Sequence, residues 1–284
     1  PPQPGHPRPA GFLAAALVMP LPAEEAAASA PLSLWRLDCG SFLIKDYNAW
    51  FSDTMAYPPR QAKALTSSCY LIRHGERYML WDTGLATKYV AEPEDNAGQR
   101  VELKRTLVDQ LKELGVRPDQ IGIIGISHYH ADHTGQAANF PKAKLVMGKG
   151  DLDALRVPPA SQEQEPELLD PWLKGDAPKV EARGDVDIFR DGRVVMLTLP
   201  GHTPGHSALL VRLASGPVLL TGDLYHFSEQ VPTRGVPVFN TNRADTLASM
   251  DRFDRLAKNL GAKVIIQHEV ADIAKLPAFP KAAQ

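Results

Sequence analysis

Cysteine is nearly absent: there are 2 in 284 residues, Cys39 and Cys69. Two cannot build a disulfide framework or a cysteine-rich zinc module. They can close one bridge or remain two buried thiols, and buried thiols are the expectation here. An excess of one charge is missing too. With 31 Lys+Arg against 33 Asp+Glu the formal net charge is -2, so nothing marks a nucleic-acid partner. No membrane span is expected either, because the apolar stretch from Gly11 to Leu21 is too short for one. No short repeat is evident and no linker splits the chain. What remains, 44% hydrophobic and 23% charged residues, is ordinary for a globular enzyme.

The N-terminus differs from the rest. Pro1 to Pro9 is proline-rich and carries Arg8, Gly11 to Leu21 is apolar, and Ala26-Ala27-Ala28-Ser29-Ala30 is small. That order resembles the three zones of a secretory signal peptide. The alternative is an Ala/Pro arm without fixed structure. On either reading residues 1–30 stand apart and a single catalytic domain spans 31–284. Export would place it in the periplasm or outside the cell; otherwise it is cytoplasmic.

From Leu32 onward, strands alternate with helices. Leu34 to Cys39 alternates apolar and polar, as a half-buried strand does. Ser68 to Arg73 and Arg77 to Asp82 flank His74-Gly75-Glu76, a hairpin signal. Glu102 to Leu114 carries leucines at helical spacing before Gly115. Ile121 to Ile126 is almost wholly apolar, which predicts a strand buried on both faces. Further strands are expected at Leu145 to Met147, Arg193 to Leu199, Ala208 to Leu213, Pro217 to Thr221 and Val264 to Ile266. Ala244 to Leu260 predicts a helix closed by Gly261. Pro158 to Pro178 predicts a surface insertion. The simplest architecture is one layered α/β domain with sheets inside.

Several of the nine histidines stand at ends of apolar strands, beside carboxylates. His128-Tyr129-His130-Ala131-Asp132-His133 offers four potential ligands in six residues. In an extended segment His128 and His130 project to one side and can grip one metal. Asp132 and His133 follow and can turn toward a second. Zinc suits mixed imidazole and carboxylate donors.

This run resembles the H-x-H-x-D-H signature of the metallo-β-lactamase superfamily. Asp82-Thr83-Gly84, Gly201-His202-Thr203-Pro204-Gly205-His206, Gly222-Asp223 and His268 follow the family's order. The resemblance covers nearly all of Leu32 to Leu276. It implies an αββα sandwich of two mixed sheets flanked by helices, holding two Zn(2+). His128, His130 and His202 would bind one ion, Asp132, His133 and His268 the other, and Asp223 both. Asp82 would orient a ligand histidine, and His206 would lie behind the ligands. The implied chemistry is hydrolysis of an acyl bond by a hydroxide shared between the ions, with Asp132 relaying a proton.

Within the superfamily the chain is most similar to N-acyl-homoserine lactonases, the quorum-quenching branch. Stretches carrying this include Leu37-Asp38-Cys39-Gly40, Ser52 to Pro58, Trp81 to Leu85, Gly222 to Phe227 and Gln267-His268. The implied partner is a small acyl-lactone substrate. Better-known members place a carbonyl-contacting tyrosine three residues after the bridging aspartate. Here Tyr225 comes two residues after it and His226 three. Tyr225 is the expected donor and His226 its rival. Trp50, Phe51, Met55 and Tyr57, with Phe227, Val238 and Phe239, are candidates to line an apolar trough for the acyl chain. The insertion from Ser161 to Pro178, with Trp172, is a candidate lid. An exposed aromatic N-terminal segment makes a homodimer conceivable. Alternatives are another lactonase, arylesterase or thioesterase of this fold, or a non-catalytic binding protein; a nuclease fits poorly.

Overall fold

The computed structural model describes residues 30–158 and 164–284. The suspected leader, Ala30 apart, lies outside them, as does part of the insertion, residues 159–163. Strands β1 (Leu32–Ile44), β2 (Lys63–His74), β3 (Arg77–Trp81), β4 (Glu94–Asp95), β5 (Gln99–Glu102), β6 (Ile121–Ile126), β7 (Lys144–Gly148) and β8 (Lys179–Ala182) form one sheet. Its order is β4-β5-β1-β2-β3-β6-β7-β8. Strands β9 (Val186–Asp187), β10 (Val194–Thr198), β11 (Ser207–Leu213), β12 (Gly216–Leu220) and β13 (Lys263–Ile265) form the second, in the order β13-β12-β11-β10-β9. Both are mixed: β3, β6, β7 and β8 pair in parallel, as do β12 and β13, and the other pairs are antiparallel.

The helices are α1 (Tyr47–Phe51), α2 (Lys88–Ala91), α3 (Leu107–Glu113), α4 (Ala131–Thr134), α5 (Lys149–Leu155), α6 (Asp170–Leu173), α7 (Gln230–Thr233) and α8 (Arg243–Leu260). Strand alternation sorts side chains between two cores. Leu34, Ile72, Met79 and Trp81 face inward and meet Val194, Met196, Val211 and Leu220 of the second sheet. Their neighbours Leu37, Leu71 and Leu80 turn outward beneath Leu107, Leu111, Leu152 and Trp172. On the far side Leu197, Leu210 and Leu219 pack against Met250 and Phe253 of α8. The layers are helix, sheet, sheet, helix. Strand β6 is buried on both faces as its composition predicts, with Ile124 in the outer core and Ile123 against the inner one.

Three expectations change. The helix expected from Glu102 begins only at Leu107, because Gln99–Glu102 pairs with β1 first. Thr106 and Asp109 then close a reciprocal capping box, while Leu103 packs with Leu85 and Val101. The cysteines are not thiols: Cys39 and Cys69 form a disulfide joining β1 to β2, with Cα atoms 5.7 Å apart. Trp172 is no lid residue. It is fully buried, and its indole N–H donates to the Ala143 carbonyl at 2.9 Å. Of the described insertion, Glu165 does reach the cleft.

Candidate metal centre and active site

The site forms where strands from both sheets end on one rim. Asp82 follows β3, His128 and His130 follow β6, Asp223 follows β12 and His268 follows β13. His202 sits in the turn between β10 and β11. Thr83 and Gly84 anchor the short helix α4 under Asp132 and His133. The Thr83 amide donates to the His133 carbonyl at 2.7 Å, and the Gly135 amide to the Gly84 carbonyl at 2.8 Å.

Seven side chains converge into two cups that share Asp223. In the first, His128 Nε2 lies 2.9 Å and His202 Nε2 lies 3.2 Å from His130 Nδ1. Both Nε2 atoms stand 3.6 Å from Asp223 Oδ2. In the second, Asp223 Oδ1 lies 3.2 Å from His133 Nε2 and 3.1 Å from His268 Nε2. Asp132 Oδ2 is 3.5 and 3.6 Å from the same two nitrogens. Donors held about 2.0–2.1 Å from a tetrahedral ion sit about 3.3 Å from one another. Both cups match that spacing, one carboxylate oxygen of Asp223 serving each.

The outer edges of three rings, His133, His268 and His128, are wired so that lone pairs face inward. His133 Nδ1 donates to Asp82 Oδ2 at 2.9 Å and His268 Nδ1 to the Thr66 carbonyl at 2.8 Å. His128 Nδ1 is 3.0 Å from Ser127 Oγ, whose own proton goes to Asp82 at 2.9 Å. Asp82 holds a left-handed backbone, φ 58°, an uncommon conformation kept by the bonds it makes. His133 Nε2 and Asp223 Oδ1 are buried without a hydrogen-bond partner. Such orphaned atoms are costly unless a cation completes them. His206 is different: Nδ1 donates to the Leu199 carbonyl and Nε2 accepts from the Asp223 amide, each at 2.9 Å. It has no lone pair left for a cation.

The electrostatics carry the same demand. Burial disfavours a charged Asp223, yet His133, His268, His226 and His128 hold its pKa well below the usual carboxylate range. Burial likewise works against charge on His133, but Asp223, Asp132 and Asp82 hold it well above the ordinary value. Burial and neighbouring imidazoles drive His128 and His202 well below it. Without a cation, a buried carboxylate has to borrow its counter-charge from ligand rings.

A cleft of about 530 Å³ opens above the cups, with His130, Asp132, Asp223, His226 and His268 along its floor. Of the expected trough residues, Trp50, Phe51 and Phe239 line it, joined by Phe42, Leu85 and Tyr89. The others do not. Met55 is 82% exposed on a left-handed turn and Val238 61% exposed. Tyr57 and Phe227 are buried behind Phe51. Tyr225 is also misplaced by the sequence reading. A tight turn over Gly222–Leu224 sends its ring onto Phe253 and its hydroxyl to Asp254 at 3.1 Å. His226 takes the place above the cups, with Nε2 3.2 Å from Asp223 Oδ2.

Several contributors have no signature in the sequence reading. Asp151, fully buried in α5, accepts from the Tyr129 amide at 3.0 Å, Thr203 Oγ1 at 2.8 Å and the Gly205 amide at 2.5 Å. It thereby ties the loop of His128 and His130 to the loop of His202. Burial pushes its carboxyl up to about 7 against those three donors. A Cβ on Gly148 would collide with the Gly205 carbonyl, so glycine is what lets these loops touch. Ser127, the residue between an apolar strand and the first histidine, was the most visible of the missed signals.

This arrangement of two sheets, with histidines and carboxylates at strand ends clustered round one aspartate, defines a fold with a candidate metal-binding site. The metallo-beta-lactamase superfamily model matches residues 62–268, and the chain belongs to that superfamily. Among named relatives, the N-acyl homoserine lactonase AttM of Azorhizobium caulinodans is 29% identical over 224 residues, 75% of this chain and 84% of that protein. The N-acyl homoserine lactonase AiiA of Bacillus thuringiensis subsp. kurstaki is 28% identical over 239 residues, covering 80% and 90%. A crystal structure of a Bacillus thuringiensis AiiA variant with N-decanoyl-L-homoserine at its active site superposes with a TM-score of 0.76 at 22% identity, covering 89% of this chain and 99% of that one. The dizinc quorum-quenching lactonase AidC superposes at 0.64 and 18% identity, covering 89% and 90%.

Proposed function

We propose that this protein is a dizinc N-acyl-homoserine lactonase whose catalytic unit spans 31–284. The observation that carries the reading is the pair of donor cups at the floor of a cleft walled by Phe42, Trp50, Phe51, Leu85 and Phe239. Relatives named as N-acyl homoserine lactonases support the substrate. His128, His130, His202 and Asp223 would hold one ion, and Asp132, His133, His268 and Asp223 the other. Bound there, the ions would bring the pKa of water toward neutrality and polarise the lactone carbonyl.

The chain's own residues do the rest. Asp82, Ser127 and Thr66 fix the orientation of three ligand rings. The aromatic wall takes the acyl chain out of water and brings the ring to the floor of the cleft. Asp132, the partly exposed carboxylate there, takes up the proton released by the attacking water on its second oxygen and hands it to the departing ring oxygen. Tyr225 plays no part in substrate contact. The disulfide fits an oxidising compartment, which favours export, and among the described residues no helix is long and apolar enough to cross a membrane.

The test is hydrolysis of short- and long-chain N-acyl-homoserine lactones, followed by proton release, beside p-nitrophenyl esters, a thioester and a β-lactam. Chelator-sensitive, zinc-restored opening of the lactones in preference to the rest is expected. A fully metallated protein that opens no lactone would refute the substrate and pass attention to whichever ester or thioester it cleaves.

A further inference from the structure

His226, three residues after Asp223, presents an unpartnered nitrogen to the cups. His226 is buried and its Nε2, turned into the cups, has no hydrogen-bond partner. The other side of the ring explains what that nitrogen carries. Gln230 Oε1 accepts from the His226 backbone amide at 2.5 Å and stands 3.3 Å from Nδ1. The Gln230 amide cannot be turned round, because its Nε2 donates to the carbonyls of Gly235 at 3.1 Å and Phe51 at 3.4 Å. An amide oxygen only accepts, so the proton of the neutral imidazole sits on Nδ1 and the lone pair on Nε2.

The ring is also held in place. Phe51 lies against it at 4.7 Å and His268 stacks on it at 5.5 Å and 11°. This is the pattern of His133: outer nitrogen engaged, inner Nε2 without a hydrogen-bond partner and directed at an Asp223 oxygen. His206 shows the contrasting case, with both nitrogens used. The 3.2 Å between His226 Nε2 and Asp223 Oδ2 matches the spacing of about 3.3 Å between donors on one ion. Asp223, His226 and His268 also form a cluster of metal-binding geometry in their own right.

We propose that His226 Nε2 is an eighth ligand of the centre, in the group it forms with Asp223 and His268, and that Gln230 is the positioning residue that keeps its lone pair inward. The proposal rests on the two-metal reading above. It also removes His226 as a neutral donor to the lactone carbonyl, since the nitrogen facing substrate bears no proton.

The experiment is cobalt(II) titration of chelator-stripped protein, read by visible absorption and by competition with a chelator. Wild type is expected to take two equivalents. In His226→Phe one of the two affinities should fall about tenfold or more, with a more intense visible band for that ion, while the other holds. Gln230→Leu, which keeps the ring but frees Nδ1, should weaken the same ion by roughly tenfold. A long-range proton–nitrogen NMR spectrum of zinc-loaded wild type gives the tautomer without any substitution. A proton on His226 Nε2, or two cobalt affinities within twofold of wild type in His226→Phe, would overturn the proposal alone. A wild-type protein that takes no cobalt would overturn the two-metal reading and this proposal with it.

Discussion

Replacing Asp151 by Asn tests whether the ligand loops are held from behind. The carboxylate offers two acceptor oxygens to three donors: Oδ2 to the Tyr129 amide and Thr203, and Oδ1 to the Gly205 amide. An amide offers one oxygen, and its NH2 must face at least one buried N–H. Leaving a buried donor without an acceptor costs about 1–3 kcal/mol. For a domain of this size that lowers Tm by roughly 3–10 °C. The loops of His128, His130 and His202 would loosen with it, so metal affinity should fall about 10–100-fold, as for other outer partners of a metal site. The Asp151 pKa adds a signature in pH. Burial raises its folded value to about 7, above the ordinary carboxylate value of 3.8. This group therefore contributes most stability below pH 3.8 and loses that contribution as pH rises through 7. The uncharged amide has no such loss, so the gap between wild type and variant should narrow across that window. Melting followed by circular dichroism from pH 4 to 8, with chelator competition alongside, reads both effects. An unchanged Tm and metal affinity in Asp151→Asn would refute the clamp.

Asp223→Ala should abolish tight binding of both ions at once, measured by metal analysis after dialysis; loss of one ion only would break the shared-aspartate assignment. Tyr225→Phe should leave kcat on lactones within about twofold and cost about 1 kcal/mol of stability, because its hydroxyl bonds Asp254 and not substrate. Removing the disulfide with Cys39→Ala/Cys69→Ala should cost roughly 3–4 kcal/mol for a sequence separation of 30 residues, seen as a lower midpoint in urea. Phe239→Ala should raise KM for long-chain lactones more than for short ones, since its ring is part of the cleft wall; equal effects would move the acyl chain elsewhere.

The clustered histidines and carboxylates were legible as candidate ligands because they follow apolar strands and their motifs keep a fixed order along the chain. The long helix was legible for the same kind of local reason: Asn242 caps its start, and Gly261 ends it in the left-handed region at φ 57°. Features that depend on tertiary pairing were not. Leu103 has helical spacing with Leu107, but β1 claims the chain up to Glu102 first. Tyr225 and His226 exchange places because a tight turn, not a continued strand, follows β12, and the alternation of faces stops there. Asp151 and Thr66 act through partners far away in sequence, so no spacing announces them. The bridge between Cys39 and Cys69 is likewise a matter of strand register, with Cys69 opposite Leu37.

The depth of the donor atoms has a kinetic consequence. His128, His133 and His202 are at most 1% exposed, and the members of the two cups that reach a surface do so on the floor of the cleft. An ion arriving or leaving therefore travels the same route as substrate and product. A retained acyl-homoserine would act as a stopper, slowing exchange of the ions beneath it, and loss of metal to a chelator should be slower in the presence of product than in its absence.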